Sequence, residues 1–476
     1  MFRVVGRSLI GVGLVHLVLV TLSGAETPSE PRWLIGEPDP YVCEYLGENN
    51  CWQPSIIEEG PPYLGFDGPR PPRTKECVVK ASGDPNGDDA PAVLQAFSEC
   101  SQNAHIIFEN TTYYIASVMN TTGLQNVDVE IKGTLEWNNT DFNYWLVNSL
   151  PVGFQNQSSA WFFGGADVHF YGHGYGTLNG NGQDWYSYNN GTSNLAGRPH
   201  AITISNSKDC VIEGLRFIKS QMWTMTVARS ERMLLQDIYV NNTCAPGAGT
   251  FSGCNVNTDG CDTVYANNIT FLRWTVDNGD DAIALKQNST NIYVADSKFY
   301  NGEGIAFGSI GQYPDQIEIM ENFTARNVYA SNTAFGCRLK TWTGETEGYP
   351  PNGGGGGLGH AKNLTCTDFT LDNVDWAWSV NQKTSYNGDA GSDNTSLFQV
   401  EDLYFSNSQG TVSEPYVGTF QCSAAAPCPG IHILNNSLTV TSNGTAAKGF
   451  RCTNVVDPVG FNCTADCGSE DSLCPS

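Results

Sequence analysis

Residues 210–242 read CVIEGLRFIKSQMWTMTVARSERMLLQDIYVNN, and this stretch decides the fold. It holds two pairs of short β-rich runs, at 210–212, 215–217, 233–235 and 238–240. Ile212 in the first pair matches Leu235 in the second, about 23 residues later, which is a spacing typical of solenoid repeats. One such repeat cannot bury its inward face alone, so neighbouring repeats must stack into a continuous core.

The same pattern continues along the chain. The step from Phe271 to Val294 is again about 23 residues, and the step from Val294 to Ile319 is about 25. The step from Leu235 to Phe271 is longer, and its excess contains residues 244–261. The repeats predict an all-β fold, a right-handed parallel β-helix, whose corner asparagines satisfy backbone groups of the turns. An antiparallel β-sandwich is the alternative, but tight-hairpin signals are scarce.

One segment before the repeats has the pattern of a helix. Asp89 is placed to cap its start, and Pro91 falls in its first turn. Val93, Leu94 and Phe97 share one face. We expect this short helix to cap the N-terminal open end of the β-helix, and helix signals are absent after it.

Composition excludes several classes of protein. The chain has 476 residues, with 49 Asp and Glu against 24 Lys and Arg, and a formal net charge of -25. Aromatic residues make up 11%, which is enough apolar surface to argue against a disordered chain. Phosphate binding needs clustered Lys and Arg, so the acidic balance argues against nucleic acid and against a membrane surface. We expect a monomer with neither of these partners.

The N-terminus is typical of a secretory signal peptide. Arg3 and Arg7 form a basic start, residues 9–22 are mostly apolar, and Ala25 ends a small-residue cleavage site. A membrane anchor is the alternative, but the apolar run is short. We predict a secreted, extracellular protein. Its parts would be a signal peptide at 1–25, a Pro- and Cys-rich extension at 26–80, a catalytic β-helix domain at 81–430 and a Cys-rich tail at 431–476.

Two further features agree with export. The chain has 16 Cys, an even number, and in a secreted protein they indicate disulfides more than a zinc site. The disulfide candidates are Cys244, Cys254, Cys261, Cys422 and Cys428, with a further pair among Cys452, Cys463, Cys467 and Cys474. Asn-x-Ser/Thr sequons are dense and predict glycosylation. They are Asn110, Asn120, Asn138, Asn156, Asn190, Asn241, Asn268, Asn288, Asn322, Asn363, Asn394, Asn435, Asn443 and Asn462.

Three carboxylates stand out in a chain of low charge density. Asp259 precedes the pair Asp280 and Asp281 by about one solenoid step, so neighbouring coils would place the three side by side. Hydrolysis of a glycosidic bond needs one protonated and one ionised carboxyl group, and crowding like charges separates their pKa values. Capping of turns, or calcium binding, is the alternative for any one of them.

Two cations follow further along the chain. In Arg338-Leu339-Lys340 the alternation of a strand puts both basic side chains on the same face. Beside an acidic trio they could hold an anionic or hydroxyl-rich sugar, although simple charge balance would explain them equally well.

Together these motifs resemble glycoside hydrolase family 28, the polygalacturonase and rhamnogalacturonase family. The resemblance rests on Asn257-Thr258-Asp259, Gly279-Asp280-Asp281 and Arg338-Leu339-Lys340 in this order, with residues 172–180 upstream, and covers about residues 80–430. It implies that Asp280 is the general acid and that Asp259 and Asp281 activate water. Arg338 and Lys340, with Asn257, would bind the sugar. It also implies inversion, with carboxyl groups roughly 6.5–9.5 Å apart, and no metal or cofactor.

One residue departs from the family pattern. Polygalacturonases carry Gly-His-Gly where this chain has Gly302-Glu303-Gly304. A carboxylate at Glu303 would hold the proton of the acid to higher pH and repel a galacturonate carboxylate. Neutral drift at a solvated edge is the alternative. The His is also absent from family members that act on rhamnose-containing pectin.

A Gly-rich stretch after the basic motif, residues 345–360, could close one end of the cleft, or it could be an unstructured surface excursion. The sequence therefore favours a secreted, inverting exo-glycosidase of pectin breakdown, an α-L-rhamnosidase that removes terminal α-L-rhamnose. The alternatives are an exo-polygalacturonase (galacturan 1,4-α-galacturonidase) and a rhamnogalacturonan hydrolase. A β-helix lyase and a non-catalytic sugar-binding β-helix are alternatives of other classes.

Overall fold

The computed structural model describes residues 62–245, 253–314, 316–385 and 394–467. The predicted signal peptide, most of the predicted extension and Cys474 lie outside these residues. No helix of the described ranges is both long and apolar enough to cross a membrane.

The described chain coils repeatedly through three parallel ladders of strands, which we call the first, second and third faces. The first face contains β8 Trp161–Ala166, β11 Ile202–Ser205, β13 Met225–Ala228, β16 Cys261–Val264, β19 Asp281–Leu285, β22 Gly304–Ile310, β25 Phe335–Trp342, β28 Trp376–Thr384, β31 Tyr416–Gln421, β35 Gly449–Thr453 and β37 Ala465–Asp466.

The second face contains β1 Lys75–Val78, β2 Gln102–Phe108, β14 Glu231–Gln236, β17 Asn267–Leu272, β20 Ser289–Ala295, β23 Ile317–Arg326, β26 Leu358–Thr367, β29 Gln399–Ser406 and β33 Ile431–Leu434. The third face contains β3 Thr112–Ile115, β5 Thr134–Trp137, β15 Tyr239–Asn241, β18 Thr275–Asp277, β21 Lys298–Tyr300, β24 Tyr329–Ser331, β27 Thr370–Val374, β30 Gln409–Val412 and β34 Ser437–Val440.

Three longer strands bend from one face to the next, namely β4 Met119–Ile131, β9 His169–Asn179 and β12 Lys208–Ile218. Two small sheets lie beside the ladders, made of β6 Leu150–Pro151, β7 Ser158–Ser159 and β10 Pro199–His200, and of β32 Cys428–Pro429 and β36 Val455–Val456. The predicted parallel β-helix is confirmed. The ladders run from β1 to β37, so the predicted bounds at 81 and 430 both fall inside them.

The register confirms most of the predicted repeat. Ile212 pairs with Leu235, Leu235 with Phe271, and Phe271 with Val294. The last predicted step is wrong, because Val294 pairs with Ala325 and not with Ile319. The first-face strand β22 is longer than its predecessor, and the turn after it inserts extra residues, so the repeat there is longer than the spacing suggested.

Inward side chains of successive coils form one apolar core that runs along the solenoid. Burying an aliphatic or aromatic side chain in such a column stabilises the fold by about 1.5–3 kcal/mol. The predicted helix, α1 Ala90–Glu99, packs Val93 and Phe97 into this core near β1 and β4. Asp89 stands at its N-cap, but its carboxylate accepts hydrogen bonds from Ser82 N and Tyr114 N rather than from the helix.

Two further helices were not predicted. They are α2 Phe142–Asn148 and α3 Gly182–Asn189, each about two turns long. α2 begins at Asp141, whose carboxylate accepts a hydrogen bond from Tyr144 N. Segments this short contain too few apolar positions at helical spacing to be predicted as helices from the sequence.

The expected asparagine ladder lies at the start of the second face. Asn291 Nδ2 donates to Asn267 Oδ1 at 2.7 Å, Asn322 Nδ2 to Asn291 Oδ1 at 3.0 Å, and Asn363 Nδ2 to Asn322 Oδ1 at 3.1 Å. Asn291, Asn322 and Asn363 have φ of 57°, 59° and 60°, a left-handed conformation that asparagine tolerates. Side chains at this corner therefore bond to one another from coil to coil.

Five disulfides join described cysteines, Cys77–Cys100, Cys244–Cys254, Cys337–Cys366, Cys422–Cys428 and Cys452–Cys463. The small loop closed by Cys422 and Cys428 is confirmed. The prediction for Cys261 is wrong, because it is a buried free thiol. It stacks in register between Met225 and Ile283 and faces the core, away from the loop that carries Cys244 and Cys254.

Candidate active site

The acidic trio lies where the turns from the third face enter the first face. Gly260 N donates to Asp281 O at 2.9 Å, so the segment of Asp259 lies directly beside that of Asp280 and Asp281 on the next coil. One oxygen of each of the three carboxylates lies within 4.8 Å of the others. The placement on adjacent coils is as the spacing predicts, but the separation is shorter than the roughly 6.5–9.5 Å that the resemblance implied.

Asp280 is held by three donors. Its Oδ2 accepts from Asn257 N at 3.0 Å and from Asn257 Nδ2 at 3.4 Å, and its Oδ1 accepts from Asp281 N at 2.9 Å. Burial, then the charges of Glu303 and Asp281, raise the pKa of Asp280 to about 7. Asp280 therefore keeps its proton in a mildly acidic solution, as a general acid must.

Asp281 has the opposite protonation state. Burial alone would raise its pKa, but Lys340, Lys286 and Arg338 outweigh burial and lower it below the ordinary aspartate value. Lys340 Nζ lies 3.1 Å and Lys286 Nζ 3.9 Å from Asp281 Oδ2. An ionised carboxylate is thus fixed next to a protonated one.

Asp259 differs from both. Its side chain is buried, and its Oδ1 has no hydrogen-bond partner among the described residues. Burial, followed by the charges of Asp280, Asp262 and Asp281, raises its pKa well above the ordinary value. Of the three acids, Asp281 is therefore the one whose surroundings favour the charged form.

The two predicted cations lie on β25, and each already faces a carboxylate. Arg338 pairs with Glu303 and stacks on the ring of Phe335 at 4.5 Å, while Lys340 pairs with Asp281. Glu303 N also donates to Asp280 O at 2.8 Å, so Glu303 is fixed beside the acid. Glu303 therefore lies beside Asp280 and Arg338, with a side chain that is 34% exposed.

Asn257 connects the acid to the wall of the cleft. Its Oδ1 accepts from Asn194 N at 2.8 Å, in the segment that follows α3. Asn194 Nδ2 in turn donates to Asn352 Oδ1 at 3.3 Å, and Asn194 Oδ1 accepts from Gln157 Nε2 at 3.0 Å. Segments far apart in the chain thus meet beside the acidic trio.

The Gly-rich stretch is ordered, so its interpretation as an unstructured excursion is wrong. Gln312 Nε2 donates to Gly353 O at 2.9 Å, and Gly355 N donates to Gln312 O at 2.8 Å. Gly355 has φ 117°, and a Cβ there would lie 2.1 Å from Glu345 O, so a larger residue would not fit. Glu318, which is buried, accepts from Gly311 N at 2.7 Å and holds the supporting turn.

Sequence reasoning missed two basic residues beneath the acids. Arg198 is fully buried, donates to Gln221 O at 2.6 Å and to Val256 O at 3.0 Å, and has no ion pair among the described residues. Burial lowers its pKa to about 10, so it stays charged. Lys286 lies 3.3 Å from Asp262 and donates to Gly308 O at 2.8 Å.

Two more buried groups complete this layer. Burial, aided by Arg198 and Lys286, lowers the pKa of His200 to about 3, so its ring is neutral and stacks on Trp223 at 4.4 Å. Burial raises the pKa of Asp262 to about 7. The one signal in the sequence was its low density of charged residues, against which Arg198 and His200, two positions apart, stand out.

Comparisons with known proteins give a matching family model and several similar proteins. The family model "Glycosyl hydrolases family 28" matches residues 100–463. A protein named alpha-L-rhamnosidase rgxB from Aspergillus niger is 46% identical over 391 residues, covering 82% of this chain and 90% of that protein. Exopolygalacturonase X from Aspergillus niger is 35% identical over 406 residues, covering 83% and 89%.

The structure of endo-xylogalacturonan hydrolase from Aspergillus tubingensis is similar with a TM-score of 0.65 and 23% identity, covering 82% of this chain and 99% of that one. This likeness is one of fold.

Proposed function

This chain belongs to glycosyl hydrolases family 28, and from that premise we propose that it is an exo-acting α-L-rhamnosidase, which removes terminal α-L-rhamnose from pectic glycans with inversion. As a member of this family it is a glycoside hydrolase. The disulfides fit an oxidising compartment, and we propose that it is secreted and works as a monomer.

The observation that carries the proposal is the ion pair between Arg338 and Glu303. A uronate needs a cation for its carboxylate, yet Arg338 and Lys340 each already face an acid of the protein. A galacturonate carboxylate would have to displace Glu303 from Arg338 or share Arg338 with it. Two carboxylates on the same guanidinium group repel each other. Rhamnose carries no charge and leaves the pair intact. The relative at 46% identity, named as a rhamnosidase, supports the same choice.

The proposed chemistry follows from the protonation states. Asp280 gives its proton to the glycosidic oxygen as the bond from that oxygen to the anomeric carbon breaks. A water molecule attacks the opposite face of the sugar, and its proton passes to ionised Asp281. The raised pKa of Asp259 keeps this carboxyl group protonated, and the group holds the water by a hydrogen bond.

The short distance between carboxylates would ordinarily suggest a retaining enzyme, in which one carboxylate attacks the sugar directly. The side chain of Asp281 is only 2% exposed and is bound by Lys340, which makes direct contact with an anomeric carbon unfavourable. A water molecule is small enough to fit between Asp281 and the anomeric carbon. The first sugar product should therefore be β-L-rhamnose, which proton NMR at early times distinguishes from the α anomer.

We infer that a contact near the acidic trio closes one end of the cleft, which supports exo action. The hydrogen bond from Asn194 to Asn352 joins the segment before the acids to the Gly-rich stretch after them. A chain passing through the cleft would have to break this contact. A terminal sugar needs only the open side.

The exo-polygalacturonase alternative rests on Arg338 and Lys340 and on the relative at 35% identity. Release of sugar from aryl α-L-rhamnoside and aryl α-D-galacturonide separates the two functions. We expect rhamnose release only, and Glu303→Gln should raise activity on the galacturonide. Glu321→Gln is the control, because Glu321 pairs with His360 on the second face. Galacturonate release without rhamnose release would overturn the proposal.

A further inference from the structure

A groove separate from the active site lies between β5, α2 and α3. Its volume is about 690 Å³, within the usual size of ligand sites. Phe142 and Tyr188 form a stacked pair in its wall, with ring centroids 4.4 Å apart, and Tyr188 is 48% exposed. Glu136 and Asp184 also line it, and neither forms an ion pair in the part of the chain that the structure describes. Aromatic faces beside free carboxylates suit a neutral sugar.

Asn138 lines the same groove and begins the sequon Asn138-Asn139-Thr140. Its backbone is fixed, because Asn138 N donates to Ile115 O at 2.8 Å and Trp145 Nε1 donates to Asn138 O at 2.9 Å. Its Oδ1 accepts from Thr140 N at 2.9 Å, while its Nδ2 donates no hydrogen bond within the described ranges. Nδ2 of Asn138, the atom that would carry a sugar, is therefore available, and the backbone that supports it is held in place.

Other sequons are committed to the fold. Asn322 and Asn363 use Nδ2 in the asparagine ladder, and Asn322 is 6% exposed. A glycan on either would break the ladder. Exposed Asn443 has the same local geometry as Asn138, with Oδ1 accepting from Thr445 N at 2.9 Å, but it does not line this groove.

We propose that Asn138 carries an N-linked glycan whose first sugars lie in this groove, against Tyr188 and Phe142. The apolar face of a pyranose ring packs on the exposed aromatic ring, and its hydroxyl and amide groups bond to Glu136 and Asp184. Contacts of this kind are weak for a free sugar. A covalent tether supplies an effective concentration in the millimolar range, which keeps the groove filled.

The glycan would then stabilise α3. This helix carries Tyr188 and leads directly into the segment that holds Asn194 at the closed end of the cleft. The proposal does not depend on which sugar the enzyme hydrolyses.

The test uses the exported glycoprotein. Glycopeptide mass spectrometry should find Asn138 occupied, and Asn322 and Asn363 empty. Asn138→Gln should lower Tm by about 1–2 °C, a shift expected for one modest contact in a domain of this size. It should also raise hydrogen exchange in α3 several-fold. Asn443→Gln, the matched control, should do neither. Thr140→Ala removes the sequon without changing Asn138 and should repeat the effect.

Tyr188→Ala decides whether the glycan lies in the groove. The fall in Tm caused by Tyr188→Ala should be smaller in the Asn138→Gln protein than in the wild-type protein. In the Asn443→Gln protein it should equal the fall in the wild type. Additive effects of the two changes would overturn the proposal, and so would an empty Asn138. If N,N′-diacetylchitobiose protected α3 in a wild-type protein whose Asn138 was empty, the groove would be a site for external sugar and the proposal would be wrong.

Discussion

Replacing Lys340 by Met tests whether this lysine ionises the base or only binds the sugar. Lys340 Nζ lies 3.1 Å from Asp281 Oδ2, and both side chains are largely buried. Methionine keeps most of the length and volume of the side chain but removes the charge. The variant therefore isolates the electrostatic role of Lys340 from its packing.

The size of the effect follows from the distance. At an effective dielectric constant of about 20, unit charges 3.1 Å apart attract by about 5 kcal/mol. Lys286 remains, but it is 3.9 Å from Asp281 and closer, at 3.3 Å, to Asp262. Removing one partner of a buried pair costs about 3–5 kcal/mol, which here acts against the ionised form of Asp281. Loss of a working general base lowers kcat by about 100-fold to 10000-fold.

The pH profile should show the cause. Lys340 lowers the pKa of Asp281, so without it the pKa rises and the acid limb of kcat moves to higher pH. The basic limb is set by Asp280, whose pKa is about 7, and Lys340 lowers this pKa too, so the basic limb should also move to higher pH. The active window therefore moves to higher pH on both sides. Lys362→Met is the control, since Lys362 is on the second face.

Steady-state kinetics on an aryl rhamnoside between about pH 3 and 8 measure both limbs. An unchanged acid limb with a raised KM would refute the reasoning and leave Lys340 as a substrate ligand. Circular dichroism checks that the variant is folded.

Three other changes have defined outcomes. Asp280→Asn removes the transferable proton, so kcat on an aryl rhamnoside should fall at least about 100-fold with an unchanged circular dichroism spectrum; full activity would mean that Asp280 is not the acid. Burial raises the pKa of Glu318 to about 7, so the folded state binds this proton more tightly than the unfolded state, and the resulting stability is lost as pH rises from about 4.5 through 7. Glu318→Gln should flatten the fall of Tm over this range in calorimetry, whereas an unaltered slope would assign it to other groups. Arg198→Met removes a buried charge that attracts Asp280, so the pKa of Asp280 should rise and the basic limb of kcat should move to higher pH, while Arg198→Lys should keep it in place. Identical pH profiles in the two Arg198 variants would restrict this residue to bonding Val256 and Gln221.

The sequence predicted the solenoid and the acidic trio for one physical reason. In a parallel β-helix, residues one coil apart lie about 5 Å apart on the same face, so a spacing in sequence becomes a neighbour in space. Ile212, Leu235 and Phe271 obey this rule, and so do Asp259 and Asp281. The pairing of Ile212 with Leu235 and the placement of Asp259 beside Asp281 needed only the length of the repeat, whereas a longer step separates Leu235 from Phe271.

The rest depends on the turns, whose lengths do not repeat. The longer turn after β22 displaced Ile319 from its predicted partner. The contact between Asn194 and Asn352 joins two such turns across 158 positions, and no periodicity connects them. Arg198 and Lys286 were missed because a single basic residue next to a strand does not reveal which buried groups it will face.

The balance of charges inside the site bears more directly on the choice of substrate than the net charge of the whole chain does. The cluster contains five carboxylates and four cations, namely Asp259, Asp262, Asp280, Asp281 and Glu303 against Arg198, Lys286, Arg338 and Lys340. In the proposed mechanism Asp259 and Asp280 both hold a proton, so the three remaining carboxylates do not outnumber the four cations. A uronate would add a sixth carboxylate, and because Arg338 and Lys340 already pair with Glu303 and Asp281, it would compete with an acid of the protein for its cation. A neutral terminal sugar does not compete for these cations, so the ion pairs that organise the site also select against charged substrates.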